Sequence, residues 1–187
     1  MGFLDGLFGS KIDPDKRARI LDYLVSEGRL RAIQDDAASA YNAVAAKHGG
    51  SVMTDPSAAR ELATAAASMA ETYKQLVGQH SALEPIPDEA GETYFGWHSV
   101  FLALTTWAEH NASMFGALSE LEVEPGSAVA AERVVSVAGP RSVALLEEEQ
   151  ALRDQTLKVE TRLMKRCRIT AEEGRQIMVD TEREPSE

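Results

Sequence analysis

One cysteine, Cys167, occurs in the 187 residues. An internal disulfide is therefore excluded, and the composition suits a reducing compartment. Positive charge is scarce in the middle of the chain. Residues 51–124 hold two Lys/Arg against eleven Asp/Glu, whereas residues 1–50 balance at seven each and residues 125–187 hold ten against twelve. With a net charge of −11 the chain lacks the basic surface that phosphate contacts need, so no nucleic-acid partner is expected. The acidic middle reads as a solubility device, and a docking patch for a basic partner is the sharper alternative.

Long apolar runs are also missing. The most apolar stretch, Tyr94 to Ala108, is interrupted by His98, Ser99, Thr105 and Thr106 and is shorter than the roughly 20 residues that span a bilayer. The first residues lack a basic start and an apolar segment with a small-residue cleavage site, so no leader is expected and the protein is placed in the cytoplasm. Period-two alternation is absent except at Val134-Val135-Ser136-Val137, which the preceding Ser127 cap assigns to a helix.

Motif-borne chemistry is missing as well. The chain has no Gly-rich phosphate loop, no G-x-G-x-x-G, no C-x-x-C and no G-x-S-x-G. The residues three before each histidine are Ala45, Val77, Phe95 and Trp107, so the Glu-x-x-His pattern of di-iron bundles fails everywhere. No two histidines lie four apart, which removes the helical zinc pair. No cofactor or metal is expected, and the expectation leans away from an enzyme.

What the chain does have is a stretch from about Asp88 to Leu121 carrying six of its eleven aromatic residues: Tyr94, Phe95, Trp97, Phe101, Trp107 and Phe115. Trp97, Val100, Leu104, Trp107, Asn111, Met114, Leu118 and Leu121 follow 3-4 spacing and form one stripe on a helix. Tyr94, Phe95, Phe101 and Leu102 make its first half apolar on other sides too, which predicts burial nearly all round. The second half, beyond Trp107, keeps one stripe and is expected to be free to project.

Helix signals punctuate the remainder. Asp13-Pro14 and Asp55-Pro56 each pair an N-cap with Pro at the first helical position. Gly28 is expected to close the first helix and Gly49-Gly50 the second. The Ala-rich stretches at 37–46 and 63–70 offer small-residue grooves for the ring-bearing helix. Gly139-Pro140 is expected to break a short helix beginning at Ser127. The last long helix, from about Ser142 to Cys167, carries Leu145, Leu152, Thr156, Val159 and Leu163 on one stripe, flanked by Leu146, Leu157 and Met164. Two adjacent stripes predict two neighbours. Thr170 and Glu173 have capping-box spacing.

The fold expected is all-α: a helical bundle around a long aromatic-rich central helix, with a C-terminal helical extension. Residues 1–12 form an amphipathic segment, 13–122 the bundle, and 123–187 the extension, packing on the bundle or a partner. Phe3, Leu4, Leu7 and Phe8 in the opening segment need a surface to cover, whether this protein's own core, a partner groove or a membrane interface.

Candidate ligand-binding residues are His98, Phe101, Thr105 and Glu109, because His98, Thr105 and Glu109 keep to one line of the helix. His48 and His80 sit in last helical turns, where an imidazole suits the dipole. Candidate interaction residues are Phe3, Leu4, Leu7, Phe8, Trp107, Asn111, Met114 and Leu118. Asn111 is the one polar member of its seam, a position that often fixes register or oligomer state. The leading functional reading is a non-enzymatic interaction protein, an adaptor or accessory subunit that self-associates or binds another protein. The alternatives are a bundle binding an apolar small molecule or metal near His98, and a peripheral membrane protein anchored by residues 3–8.

Overall fold

The computed structural model describes residues 13–83, 85–121, 127–170 and 172–174. The protein is an all-α bundle, with no strand among the described residues. Helix α1 spans Pro14–His48, α2 Pro56–Ser81, α3 Gly91–Ser119 and α4 Ser127–Arg166, with short 3-10 turns at Gly49–Met53 and Asp88–Ala90. None of the described helices is long and apolar enough to cross a membrane.

Both Asp-Pro starts operate as their chemistry requires. Asp13 Oδ1 accepts from the Asp15 amide at 3.0 Å, and Asp55 Oδ1 accepts from the Ser57 amide at 2.9 Å. At the other end of α1, Gly49 takes φ +50, a conformation open to glycine at little cost, and its amide bonds back to the Ala45 carbonyl.

Two expected helix breaks do not occur. Gly28 is buried inside α1, with Leu24 and Leu30 buried on either side of it. The local cost of a mid-helix glycine, about 1 kcal/mol, is outweighed because continuing the helix keeps both leucines in the interior. Likewise α4 runs unbroken through Pro140. Ala131 before it and Leu145 after it are both buried, which holds the two halves to one line against a proline cost of about 3 kcal/mol.

Successive helices run antiparallel, up-down-up-down. Lys47 reaches Glu61 at 2.6 Å and Glu27 reaches His80 at 2.7 Å, so α1 and α2 are opposed. Lys74 meets Glu109 at 2.8 Å while His98 lies beside His80, opposing α2 and α3. Ser142 meets Asn111 and Glu160 meets Trp97, opposing α3 and α4.

The middle of the core holds Leu30, Met69, Ala70, Tyr73, Leu76, Trp97, Phe101 and Leu104. One end is closed by Ile20, Tyr23, Leu24, Leu163, Cys167 and Ile169, the other by Ala59, Leu118 and Ala131. The alanines of α2 work as a small-residue surface, with Ala66 and Ala70 buried, and Ala70 in the cluster that holds both Trp97 and Phe101. Those of α1 do so only in part: Ala37 packs against the same cluster, while Ala40, Ala43 and Ala46 are exposed.

The 3-4 stripe of α3 faces inward, from fully buried Trp97 to Leu118 at 3% exposure. Burial all round its first half does not hold. Phe95 is 68% and Leu102 47% exposed, seven residues apart and so on one outer side of the helix. Nor does the second half of α3 project, since α4 folds back along it and buries Asn111 and Leu118.

The α3–α4 contact is tightest at Gly96. A Cβ there would lie 2.5 Å from Thr156 Oγ1 and 2.8 Å from its Cγ2. Thr156 is itself buried and donates to the Leu152 carbonyl, so it has little room to give. Gly96→Ala is expected to destabilise the fold by about 1–3 kcal/mol in chemical denaturation. Adding Thr156→Ala should recover part of that loss; equal stability of wild type and Gly96→Ala would show that the helices are not so closely keyed.

Candidate functional site

The buried face of α1 carries polar side chains among Ile20, Leu24 and Leu30. Tyr23, Glu27, Arg31 and Gln34, spaced 4-4-3, share one side of the helix. Opposite them, Glu149, Arg153, Thr156 and Glu160 share one side of α4 at 4-3-4 spacing. Glu27 is fully buried, Gln34, Glu149 and Thr156 are 3% exposed, and Glu160 is 9% exposed. Carboxylates so placed must be paired, and the structure shows two networks that pair them.

The first is centred on Glu27 and His80, whose Oε2 and Nε2 lie 2.7 Å apart with both side chains completely buried. The Tyr23 hydroxyl donates to the same Oε2 at 3.3 Å. Because a carboxylate oxygen accepts, His80 carries a proton on Nε2. Its Nδ1 lies 3.4 Å from His98 Nδ1, extending the chain of contacts to a half-buried histidine on α3. Tyr94 stacks on the His80 ring at 4.4 Å, and Phe101 meets it edge-on at 5.4 Å. Burial pushes the Tyr23 hydroxyl pKa far up, and the Glu27 carboxylate adds to it. His98 is held below the ordinary imidazole value by burial first and by the neighbouring His80 second. Glu27 Oε1 has no hydrogen-bond partner among the described residues.

The second network surrounds Trp97. Its indole Nε1 donates to Glu160 Oε2 at 2.8 Å, and Arg31 meets the same carboxylate at 3.3 Å. The Arg31 guanidinium also lies 4.5 Å from the indole ring centre, with that of Arg153 at 5.9 Å. Arg153 is tied to Glu149 at 2.7 Å. One indole thus fixes groups from α1, α3 and α4 together.

Of the residues that share a line on α3, the structure does not gather His98, Thr105 and Glu109 into one site. Thr105 is buried and donates to the Phe101 carbonyl at 2.8 Å, and Glu109 pairs with Lys74 at the surface. His98 and Phe101 do come together, around His80. Trp107 is half-buried and meets Tyr41 edge-on at 5.8 Å. Asn111 donates to the Trp107 carbonyl at 2.8 Å and accepts from Ser142 at 2.9 Å, so its amide is satisfied within the chain. Met114 is half-buried and Leu118 buried. Phe3, Leu4, Leu7 and Phe8 lie outside the described residues. His48 pairs with Glu61 at 2.9 Å, and Thr170 and Glu173 exchange the two bonds of a capping box at 2.8 and 3.1 Å.

Sequence reasoning missed Glu27, Arg31, His80 and Glu160. The available signal was the run of polar residues on the same side of α1 as Ile20 and Leu24. Its partners could not be read, since they lie 53 and 129 residues away.

Chemically, the Glu27–His80–His98 chain can hold and pass a proton, but its inner members are enclosed by packed side chains. Among the described residues no group of three or more His, Cys, Asp and Glu is arranged to hold a metal ion. The arrangement does the work of a polar lock between helices.

Breaking that lock from one side should be costly. Glu27→Leu or His80→Leu alone is expected to lower stability by about 3–5 kcal/mol, whereas the two together should cost well under the sum. A denaturation cycle giving additive losses would show that the groups do not act as a pair. For pH, a histidine whose folded pKa is lowered binds fewer protons folded than unfolded. Its stabilising contribution is present above the ordinary value of 6.5 and is lost as pH falls below it. His98→Phe should therefore flatten the fall in melting temperature on acidification below pH 6.5; an unchanged slope would remove His98 as its source.

No family model, curated protein or solved structure matches this chain.

Proposed function

We propose that the protein is a non-enzymatic interaction module that presents one outer face of α4 to a protein partner. The single observation that carries this reading is a set of exposed aliphatic side chains on that helix; of the flanking residues Leu146, Leu157 and Met164, Met164 is half-buried against the end cluster of the core. Leu145, Leu152 and Leu163 of the first stripe are buried or half-buried within the bundle. Val143 at 58%, Leu146 at 46% and Leu157 at 41% remain exposed. Within the bundle α4 already meets α3 and, through Arg31 and Glu160, α1, and these three side chains stay exposed beside both contacts.

The enclosed acid–base groups favour the same reading. Glu27 and His80 are engaged in holding α1 to α2 and have no exposed surface through which a substrate would be reached. Covering three half-exposed aliphatic side chains is worth about 3 kcal/mol gross on one partner, which suits a reversible contact better than an obligate one.

The test is the native mass of gently purified protein beside a Leu146→Arg/Leu157→Arg variant. Wild type is expected above the mass of one chain. The variant should run as one chain with an unchanged circular-dichroism spectrum and melting temperature. A single-chain wild type carrying a stoichiometric small molecule or metal would overturn the reading in favour of a ligand-binding bundle.

A further inference from the structure

We infer that Glu27, His80 and His98 form a proton relay, entered from the surface at His98 Nε2, that sets the charge of the buried lock between α1 and α2. Glu27 Oε2 lies 2.7 Å from His80 Nε2, and His80 Nδ1 lies 3.4 Å from His98 Nδ1. Two N–H groups would repel at that separation and two bare nitrogens would gain nothing, so one proton lies between the rings. The remaining nitrogen, His98 Nε2, has no partner among the described residues and is not enclosed. Phe95 and Leu102, three residues before it and four after, are exposed, which sets His98 at the margin of the bundle. Glu27 and His80 have no surface of their own. Water therefore meets the chain of contacts at His98.

A proton arriving from water adds to His98 Nε2. The proton on His98 Nδ1 then crosses to His80 Nδ1, one N–H bond breaking as the other forms. His98 is left neutral, with its proton on Nε2. His80 is left an imidazolium, donating from Nε2 to Glu27 and from Nδ1 to His98. Surroundings decide where the charge rests. On His98 it would meet no carboxylate among the described residues, and burial and the neighbouring His80 hold that ring below the ordinary imidazole value. On His80 it stands 2.7 Å from a carboxylate whose other oxygen has no partner among the described residues. The remaining groups that face the relay do not compete for the proton. From α1, the Tyr23 hydroxyl donates to Glu27, and burial pushes its pKa far up. From α3, Tyr94 stacks on both imidazoles, at 4.4 and 6.1 Å. Arg31 of α1 and Glu160 of α4, whose charges are felt at Tyr23, are paired with each other at 3.3 Å.

Imidazole tautomers, read by long-range proton–nitrogen NMR on the full isotopically labelled chain from about pH 5 to 9, test the relay. His98 should carry its proton on Nδ1 at the alkaline end and on Nε2 at the acidic end. His80 should keep Nε2–H throughout and gain Nδ1–H at the same midpoint. His98→Phe removes both the port and the acceptor, so His80 should no longer gain Nδ1–H in that range. Glu27→Gln removes the counter-charge and should leave the added proton on His98, with no exchange of tautomer. His48 and His110 lie outside the relay and should respond to neither change. A His98 that gains charge while His80 stays in one tautomer across the whole range overturns the relay. So does a His80 that titrates in His98→Phe as it does in wild type. The wild-type spectra alone decide the first point, so a variant that fails to fold does not shelter the claim.

Discussion

The fold depends on keeping buried carboxylates in company. Glu27, Glu149 and Glu160 have all been taken out of water, and none could stay ionised there without a donor placed against it. His80, Tyr23, Arg153, Arg31 and the Trp97 indole are those donors, and they come from all four helices. A purely apolar bundle of this composition could slide or rotate its helices at modest cost, since Leu on Leu is tolerant of register. The carboxylates remove that freedom. Glu27 and Glu160 are matched by donors on other helices, so where those two charges sit constrains the register of the helices, while Glu149 is paired one turn along α4. What holds the protein in one arrangement is thus less the size of its core than the penalty for leaving any of these groups alone.

Side-chain reach decides how this is done. Where small residues meet, helices close on each other directly, as at Gly96 and Thr156. Where α1 faces α4, Arg31 and Glu160 span the gap with long side chains, and the Trp97 ring fills the space beneath them. A short contact fixes distance and a long charged one fixes direction. The bundle uses the first between α3 and α4 and the second between α1 and α4.

What could be read in the sequence was whatever one helix states alone. The Asp-Pro starts, the inward stripe of α3 from Trp97 to Leu118 and the Thr170–Glu173 capping box are all local patterns that the three-dimensional structure leaves intact. Gly28 and Pro140 were misread because local breakers weigh about 1 and 3 kcal/mol, less than the leucines and alanines that a continuous helix keeps buried. Phe95 and Leu102 were expected inside because hydrophobicity alone does not tell which side of a helix meets a neighbour. Asn111 was recognisable as the odd polar member of its seam, yet Ser142 as its partner was not. The Glu27–His80 pair was least legible of all. A histidine near a helix end already has a sufficient local explanation in the dipole, and nothing within α2 hints at a carboxylate across the bundle.

Cys167 carries a consequence of its own for how the protein can be followed in solution. The thiol is 2% exposed, enclosed with Ile20, Leu24 and Leu163 at the end of the bundle where α4 finishes, and burial raises its pKa. Thiolate chemistry is thereby suppressed twice, by access and by protonation. An added alkylating reagent can reach the sulfur only while that end stands open. The rate at which the single thiol is consumed is therefore a clock on the parting of α1 from the end of α4, with no second cysteine to confuse the signal.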